Sequence, residues 1–120
     1  MTGYLDIKVT EIGEDYLIGT MPVTDRVRQP FGLLHGGASV VLAESIGSIA
    51  SNLVINPDKY AGVGLEINAN HLRKVTEGEI SAKCTAVHLG TQTHIWDIRM
   101  TDSRGRLNCI SRLTVAIVAK

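Results

Sequence analysis

The sequence predicts an α+β fold in which one long buried helix is wrapped by a curled antiparallel sheet of about six strands. Segments on both sides of residues 36–54 alternate apolar and polar residues, as half-buried strands do. Residues 36–54 are instead apolar or small on every side, which is typical of a buried helix. The later strand-like segments are joined by short connections, which favours antiparallel neighbours.

The first two strands are expected over residues 4–10 and 16–23, with a hairpin turn at residues 13–15 between them. Residues 24–34 form a loop, and the helix follows it. Pro57 marks the loop after the helix. Four further strands are expected, over residues 63–70, 79–89, 94–101 and 107–118. The alternation slips at His71 and Leu72, which predicts a bulge there, and residues 102–105 form a hairpin turn.

Length and charge restrict the class of protein. The 120 residues make one domain, over residues 1–120. The formal net charge is zero, so we expect neither nucleic acid nor a membrane surface as a partner. Cys84 and Cys109 have no zinc or CxxC spacing, which indicates reduced thiols and a cytoplasmic protein. Both are expected to be non-catalytic.

Glu44 is the one carboxylate within the predicted helix, which contains no lysine or arginine. Burying a carboxylate is costly unless it is paired or hydrogen-bonded. Two explanations stay open: a backbone partner across a gap between subunits, or a role in catalysis. Ser48 lies one turn later on the same face, where its hydroxyl could hold a water molecule or orient the carboxylate.

His35, Gly36 and Gly37 begin the helix, and Gln29 lies in the loop before it. The first N–H groups of a helix lack an intrahelical acceptor, and glycines leave them open to a ligand oxygen. The pattern fits an oxyanion hole, with Gln29 as a second donor to a carbonyl, and suits acyl transfer. A turn that only needs the glycines' conformational freedom explains the same residues, and both interpretations stay open.

Other catalytic devices are missing from the sequence. There is no Gly-x-Ser-x-Gly elbow and no phosphate-binding loop before a helix. His71, His88 and His94 lie on three different strand segments, without a carboxylate at ligand spacing. We therefore expect no metal and no cofactor.

The segment QPFGLLHGGASVVLAESIGS resembles the hotdog-fold acyl-CoA thioesterases of the phenylacetate-thioesterase-like group. GLEINANH, HLGTQ and GRLNCISRLT resemble later parts of that family, so the resemblance covers nearly the whole chain from Gly3. It implies a hotdog fold and hydrolysis of a thioester. Relatives carry an N-terminal helical segment that this sequence lacks, packed outside the active site.

The resemblance also implies roles for individual residues. By match to the family motif, Glu44 resembles the catalytic carboxylate, acting as nucleophile or general base. Gln29 and the Gly36 amide match the groups that polarise the thioester carbonyl. His35 matches the histidine near the leaving thiol, and Ser48 matches the hydroxyl that positions the carboxylate or a water molecule.

The family implies an acyl-CoA substrate, with Gly90, Thr91 and Arg112 as candidates for contacts with the coenzyme A moiety. An exposed ion pair explains Arg112 equally well. The acyl group is expected to be aromatic, such as the 1,4-dihydroxy-2-naphthoyl group of menaquinone biosynthesis. Carrier-protein thioesters are an alternative substrate, and a noncatalytic acyl-CoA binding module or a dehydratase are alternative functions. Only a hydrolase releases free thiol from an acyl-CoA.

We expect an obligate homo-oligomer, in which homodimers pair into a homotetramer and active sites lie between subunits, as the family implies. The strand over residues 63–70 is the expected pairing edge. Its polar positions are mostly small amides rather than the charges that usually protect an edge.

Overall fold

The structure is a computed structural model that describes residues 1–120. It consists of a six-stranded antiparallel sheet with one long helix packed against it. The elements are, in chain order, α1 (Thr2–Leu5), β1 (Lys8–Ile12), β2 (Tyr16–Pro22), a 3-10 turn (Asp25–Val27), α2 (Gly36–Leu53), β3 (Tyr60–His71), β4 (Glu79–Leu89), β5 (Thr93–Thr101) and β6 (Leu107–Ala119). Because α2 contacts every strand from β2 to β6, the sheet has to bend around it. The predicted fold class is confirmed. None of the helices is long and apolar enough to cross a membrane.

The core lies between α2 and the inner face of the sheet. The fully buried side chains at its centre include Leu17, Leu42, Ile46, Ile80, Ile98 and Leu113. Burying each such side chain contributes about 1.5–3 kcal/mol. Gly47 lets the helix approach the sheet, because a Cβ added there would lie 2.4 Å from Leu113 Cδ2. A larger residue at that point would have to displace the buried Leu113 side chain.

The strand order β1-β2-β4-β5-β6-β3 leaves β3 as a free edge of the sheet. The chain reaches this edge through α2, which crosses the sheet between β2 and β3. Large apolar side chains of β3 are exposed there, among them Val63 at 51% and Leu65 at 65%. The segment predicted as a pairing edge therefore does lie at an edge, and its strand is longer than the predicted one.

The strand predicted over residues 4–10 is wrong in its first half. Residues Thr2–Leu5 form one helical turn, and the strand begins only at Lys8. Asp6 takes a left-handed conformation (φ 58°) that ends the turn, and Leu5 is buried in the core. Arg26 holds the turn in place, since its guanidinium donates to the Tyr4 carbonyl at 2.9 Å and lies over the Tyr4 ring. Arg26 is distant from this turn in the sequence, so the apolar and polar alternation within residues 4–10 could not indicate these contacts.

Two further predictions are corrected. The helix was expected to have no face that tolerates water, yet Glu44 and Asn52 are exposed on the single chain. These side chains lie over β3, where the sheet ends and no further strand covers them. The bulge expected at residues 71–72 lies instead at Leu65, where the register between β3 and β6 shifts. His71 remains in register, opposite Cys109.

Candidate active site

The first turn of α2 presents one free backbone donor. Gly37 N–H donates to His35 Nδ1 at 2.8 Å, and the N–H groups of Ala38 and Ser39 donate to the His35 carbonyl. Gly36 N–H has no acceptor within the chain. This donor stands at the positive end of the helix dipole, where developing negative charge is stabilised.

Gln29 is held by its own loop with its amide donors free. Its Oε1 accepts from the backbone N–H groups of Phe31 at 2.5 Å and Leu33 at 3.3 Å. The acceptor side of the carboxamide is therefore occupied, while the NH₂ group has no partner within the chain. Gly32, with φ 83°, allows the tight turn that folds the loop around this side chain. The loop therefore holds Gln29 so that its NH₂ group can donate to a ligand.

A cavity of about 620 Å³, here called the helix-start cavity, brings these two donors together. It is bounded by Gln29 and the end of its loop, the first turn of α2, residues 71–75, and Asn108. The His71 ring packs against Gly36, so that a Cβ on that residue would lie 3.0 Å from His71 Nε2. A side chain at this position would crowd the His71 ring, whereas the backbone donor is common to every residue except proline. The volume is typical of small-molecule sites.

His35 lies at the mouth of this cavity and caps the helix. Because Nδ1 accepts from Gly37 N–H, the neutral ring carries its proton on Nε2. The side chain is exposed and also lines the cavity. It can therefore offer an N–H to a group that leaves from the carbonyl.

Glu44 lies on the same helix but away from the helix-start cavity. It follows Gly36 by eight residues, which at about 1.5 Å per residue separates the two by about 12 Å along the axis. The carboxylate lies over Gly64 of β3, where an added Cβ would be 2.5 Å from Oε2. Ser48, one turn on, makes no hydrogen bond to Glu44. The two donors and the carboxylate therefore do not meet at one point within a single chain.

The candidates for coenzyme A contacts are divided between two places. Gly90 and Thr91 form the turn between β4 and β5 and line a second cavity of about 280 Å³ near Tyr60, the Tyr60 cavity. Arg112 alternates with buried Ser111 and Leu113, so it lies on the outer face of the sheet. It lines neither cavity, and its contact with the coenzyme stays a prediction.

Sequence reasoning missed several residues near these cavities. Arg73, Lys74 and Asn108 lie in the helix-start cavity, and no motif singles them out. His71 was noted only as one of three dispersed histidines, yet it packs on the helix start.

A buried polar network below the Tyr60 cavity was also unforeseen. Ser51 Oγ accepts from Trp96 Nε1 at 2.7 Å and lies 2.9 Å from His94 Nδ1. Burial lowers the pKa of His94, and nearby His88 lowers it further. The network ties the second half of α2 to β5.

The cysteines and the histidines do not form a reactive or metal-binding cluster. Burial raises the pKa of Cys84 to about 12, with a smaller effect from Asp97. Burial also raises the pKa of Cys109. No group of three or more His, Cys, Asp or Glu side chains is arranged to hold a metal ion.

Comparison with known proteins gives consistent matches. Residues 31–109 match the family model described as the thioesterase superfamily. A 1,4-dihydroxy-2-naphthoyl-CoA hydrolase of Escherichia coli (strain K12) is 55% identical over 118 residues, which cover 98% of this chain and 86% of that protein. The proofreading thioesterase EntH of Cronobacter sakazakii is 48% identical, covering 98% of this chain and 85% of that protein. A crystal structure of a mutant of thioesterase PA1618 from Pseudomonas aeruginosa superposes with a TM-score of 0.98 at 50% identity, covering 99% and 86% of the two chains.

Proposed function

We propose that this chain, which belongs to the thioesterase superfamily and is a thioester hydrolase, cleaves aromatic acyl-CoA to the free acid and coenzyme A. The observation that carries the proposal is that an unpaired Gly36 N–H and the free Gln29 amide face one cavity. Two donors at one point stabilise the oxygen that becomes negative when a thioester carbonyl is attacked.

In the proposed reaction the carbonyl oxygen accepts from Gly36 N–H and Gln29. Glu44 attacks the carbonyl carbon, or takes a proton from a water molecule that attacks it. Both routes consume one water molecule, break the C–S bond and release a carboxylic acid and a thiol. The Nε2–H of His35 hydrogen-bonds the departing sulfur, and the thiol takes its proton from the water molecule that is consumed. Ser48 positions the carboxylate or the water.

The site is completed by a second copy of the chain. Because Glu44 lies about 12 Å along α2 from Gly36, a carbonyl held at Gly36 is beyond the reach of the same chain's carboxylate. Antiparallel pairing of β3 with its copy brings the Gly64 end of one strand towards the His71 end of the other. Glu44 lies over Gly64, and Gly36 packs against His71. The partner's Glu44 thereby approaches the donors at Gly36, and dimers of this kind can pair again into a tetramer.

The same pairing supports an acyl-CoA substrate. Arg73 and Lys74 line the helix-start cavity and are exposed, as cations that bind the coenzyme phosphates should be. Gly90 and Thr91 share the Tyr60 cavity with the start of β3. In the antiparallel dimer, the partner's copy of this turn faces the Arg73 side of the cavity.

The acyl group is proposed to be aromatic. Leu33 and Leu34 line the helix-start cavity, and Phe31 beside them is 88% exposed and free to cover a ring. The relative named for 1,4-dihydroxy-2-naphthoyl-CoA supports this choice and, with it, a place in menaquinone biosynthesis. A cytoplasmic location is part of the same proposal.

The test measures thiol release from benzoyl-CoA, 1,4-dihydroxy-2-naphthoyl-CoA and palmitoyl-CoA. Glu44→Gln keeps the shape and removes the charge, so kcat should fall roughly 10²-fold or more with little change in KM. Gln29→Ala should cost less, because the Gly36 amide remains. Glu14→Gln, on an exposed turn, is the matched control and should behave as wild type.

Two results would contradict the proposal. A Glu44→Gln variant that keeps a tenth of wild-type kcat would place the chemistry elsewhere. Comparable kcat/KM values for palmitoyl-CoA and benzoyl-CoA would exclude the aromatic preference. Aryl thioesters of a carrier protein, assayed beside the acyl-CoA substrates, test the alternative that this chain acts on carrier-protein thioesters.

A further inference from the structure

A bulge in β6 turns a polar side chain towards the helix-start cavity. Met100 pairs with Cys109 and Thr101 pairs with Leu107, so Asn108 is the extra residue of the strand. Strict alternation would place Asn108 on the outer face with Arg112. It is instead 2% exposed and lines the helix-start cavity. Bulges near active sites commonly redirect a side chain in this way.

The redirected carboxamide has no partner in the protein. Asn108 Oδ1 is the one buried side-chain oxygen or nitrogen of the molecule without a hydrogen bond. A buried acceptor left unpaired is costly, and native proteins rarely keep one without a function. Rotation about the last side-chain torsion exchanges the oxygen and the NH₂ group, so the residue can offer either an acceptor or a donor.

The position of Asn108 indicates which part of a ligand it meets. Its backbone carbonyl accepts from Leu72 N–H at 2.8 Å, which places it beside the chain segment that carries Arg73. Gly36 and Gln29, the donors for the thioester carbonyl, line the same cavity. Between a thioester and the phosphates of coenzyme A runs an arm whose polar groups include two secondary amides. A carboxamide complements an amide, because each offers an N–H donor and a C=O acceptor.

We propose that Asn108 is a substrate-binding residue that hydrogen-bonds an amide of the pantetheine arm and so positions the thioester at Gly36. This inference rests on the proposed function, which supplies the arm. It adds a contact on the thiol side of the substrate, independent of the acyl group. Asn108 therefore selects thioesters that carry an amide near the sulfur over simple alkyl thioesters.

The experiment compares three benzoyl thioesters: of coenzyme A, of N-acetylcysteamine, which keeps one amide, and of butanethiol, which has none. Asn108→Leu keeps the approximate volume and removes the hydrogen bond. Its kcat/KM should fall about tenfold on the first two substrates, which corresponds to about 1.4 kcal/mol, and change less than twofold on the butyl thioester. Cys109→Ala, at the next residue of β6, is the control. It alters packing, and the ratios between substrates should stay at their wild-type values.

Two further measurements separate the role of Asn108 from a structural one and from the proposed function. The melting temperature of Asn108→Leu should rise, because an unpaired buried acceptor is removed. Calorimetric titration with the thioethers S-benzyl-CoA and S-benzyl-N-acetylcysteamine should show weaker binding to the variant. Wild-type protein that binds these thioethers but hydrolyses no thioester would refute the proposed function and still test this contact.

The inference is overturned by an equal loss on all three benzoyl thioesters, which would indicate a structural role. It is equally overturned if the variant keeps wild-type kcat/KM on all of them.

Discussion

Mixing two inactive variants tests whether the active site is shared between chains. Glu44→Gln removes the carboxylate, and Gly36→Pro removes the backbone donor. Proline is tolerated at the first position of a helix, and His35 before it already has an extended backbone (φ −70°, ψ 130°) that a following proline requires. The added ring approaches His71, which is exposed and can move.

The expected magnitudes follow from the geometry. Each variant alone should lose roughly 10²-fold or more in kcat, by loss of the base or of an oxyanion donor. In a mixed dimer with sites shared across the two-fold axis, one site collects both defects and the other is intact. The purified mixed dimer should therefore show about half of the wild-type activity per mole, and a randomly assorted mixture about a quarter.

The assay uses the two variants co-expressed with different affinity tags. Two sequential purifications, at a dilution at which light scattering gives the mass of a dimer, isolate the mixed dimers. Thiol release from benzoyl-CoA is then compared with that of each parent. If each site lay within one chain, both sites of the mixed dimer would carry one defect. A mixed dimer no more active than its parents would therefore refute the shared site and the β3 pairing behind it.

Three further predictions concern the fold around the site. Burial raises the pKa of Cys84 to about 12 and also raises that of Cys109. Neither thiol should therefore react with Ellman's reagent in the native protein, and both should react in urea. Cys84→Ala should keep most activity. Burial lowers the pKa of His94, so the unfolded chain binds a proton that the folded chain does not. Stability should then fall as the pH drops below about 6.5, and thermal melts of His94→Gln should show a smaller fall. Gly47→Ala places a Cβ 2.4 Å from Leu113 Cδ2, and urea titration should show a loss of about 1–3 kcal/mol.

Much of the fold follows from local patterns in the sequence. The helix predicted over residues 36–54 is found at Gly36–Leu53, because its glycine start and the proline after it mark its ends locally. The strand predicted over residues 79–89 matches β4 in both bounds. The first strand failed because Leu5 is buried through a helical turn that Arg26 holds from another part of the chain.

The sequence indicated residues of the candidate site but not how the fold arranges them, and their catalytic roles stay predictions. Gln29, His35 and Gly36 meet in one cavity because a short loop leads directly into the helix, and local sequence encodes such a connection. The exposure of Glu44 in the single chain could not be predicted. A helix that is apolar on every side has the same composition whether its own sheet covers all of its faces or a second chain covers one of them. The inward position of Asn108 could not be predicted for a different reason. It depends on a bulge, and a bulge is set by the register between two strands of the folded sheet.

Glycines account for the rest of the site's geometry. Gly36 lies against the His71 ring, Gly64 lies beneath the Glu44 carboxylate, and Gly62 N–H donates to Asn52 Oδ1 at 3.2 Å. At Gly64 the Glu44 carboxylate occupies space that a Cβ would otherwise fill, and at Gly36 a Cβ would crowd the His71 ring. At Gly62 an added Cβ would instead lie closest to Val115 Cγ1, at 3.1 Å. The sequence pattern indicated Glu44 but not Gly64, since the glycine contributes by having no side chain. The position of Glu44 over β3 is therefore encoded as much by the strand as by the helix, and the edge that exposes the carboxylate is the edge available to a second copy.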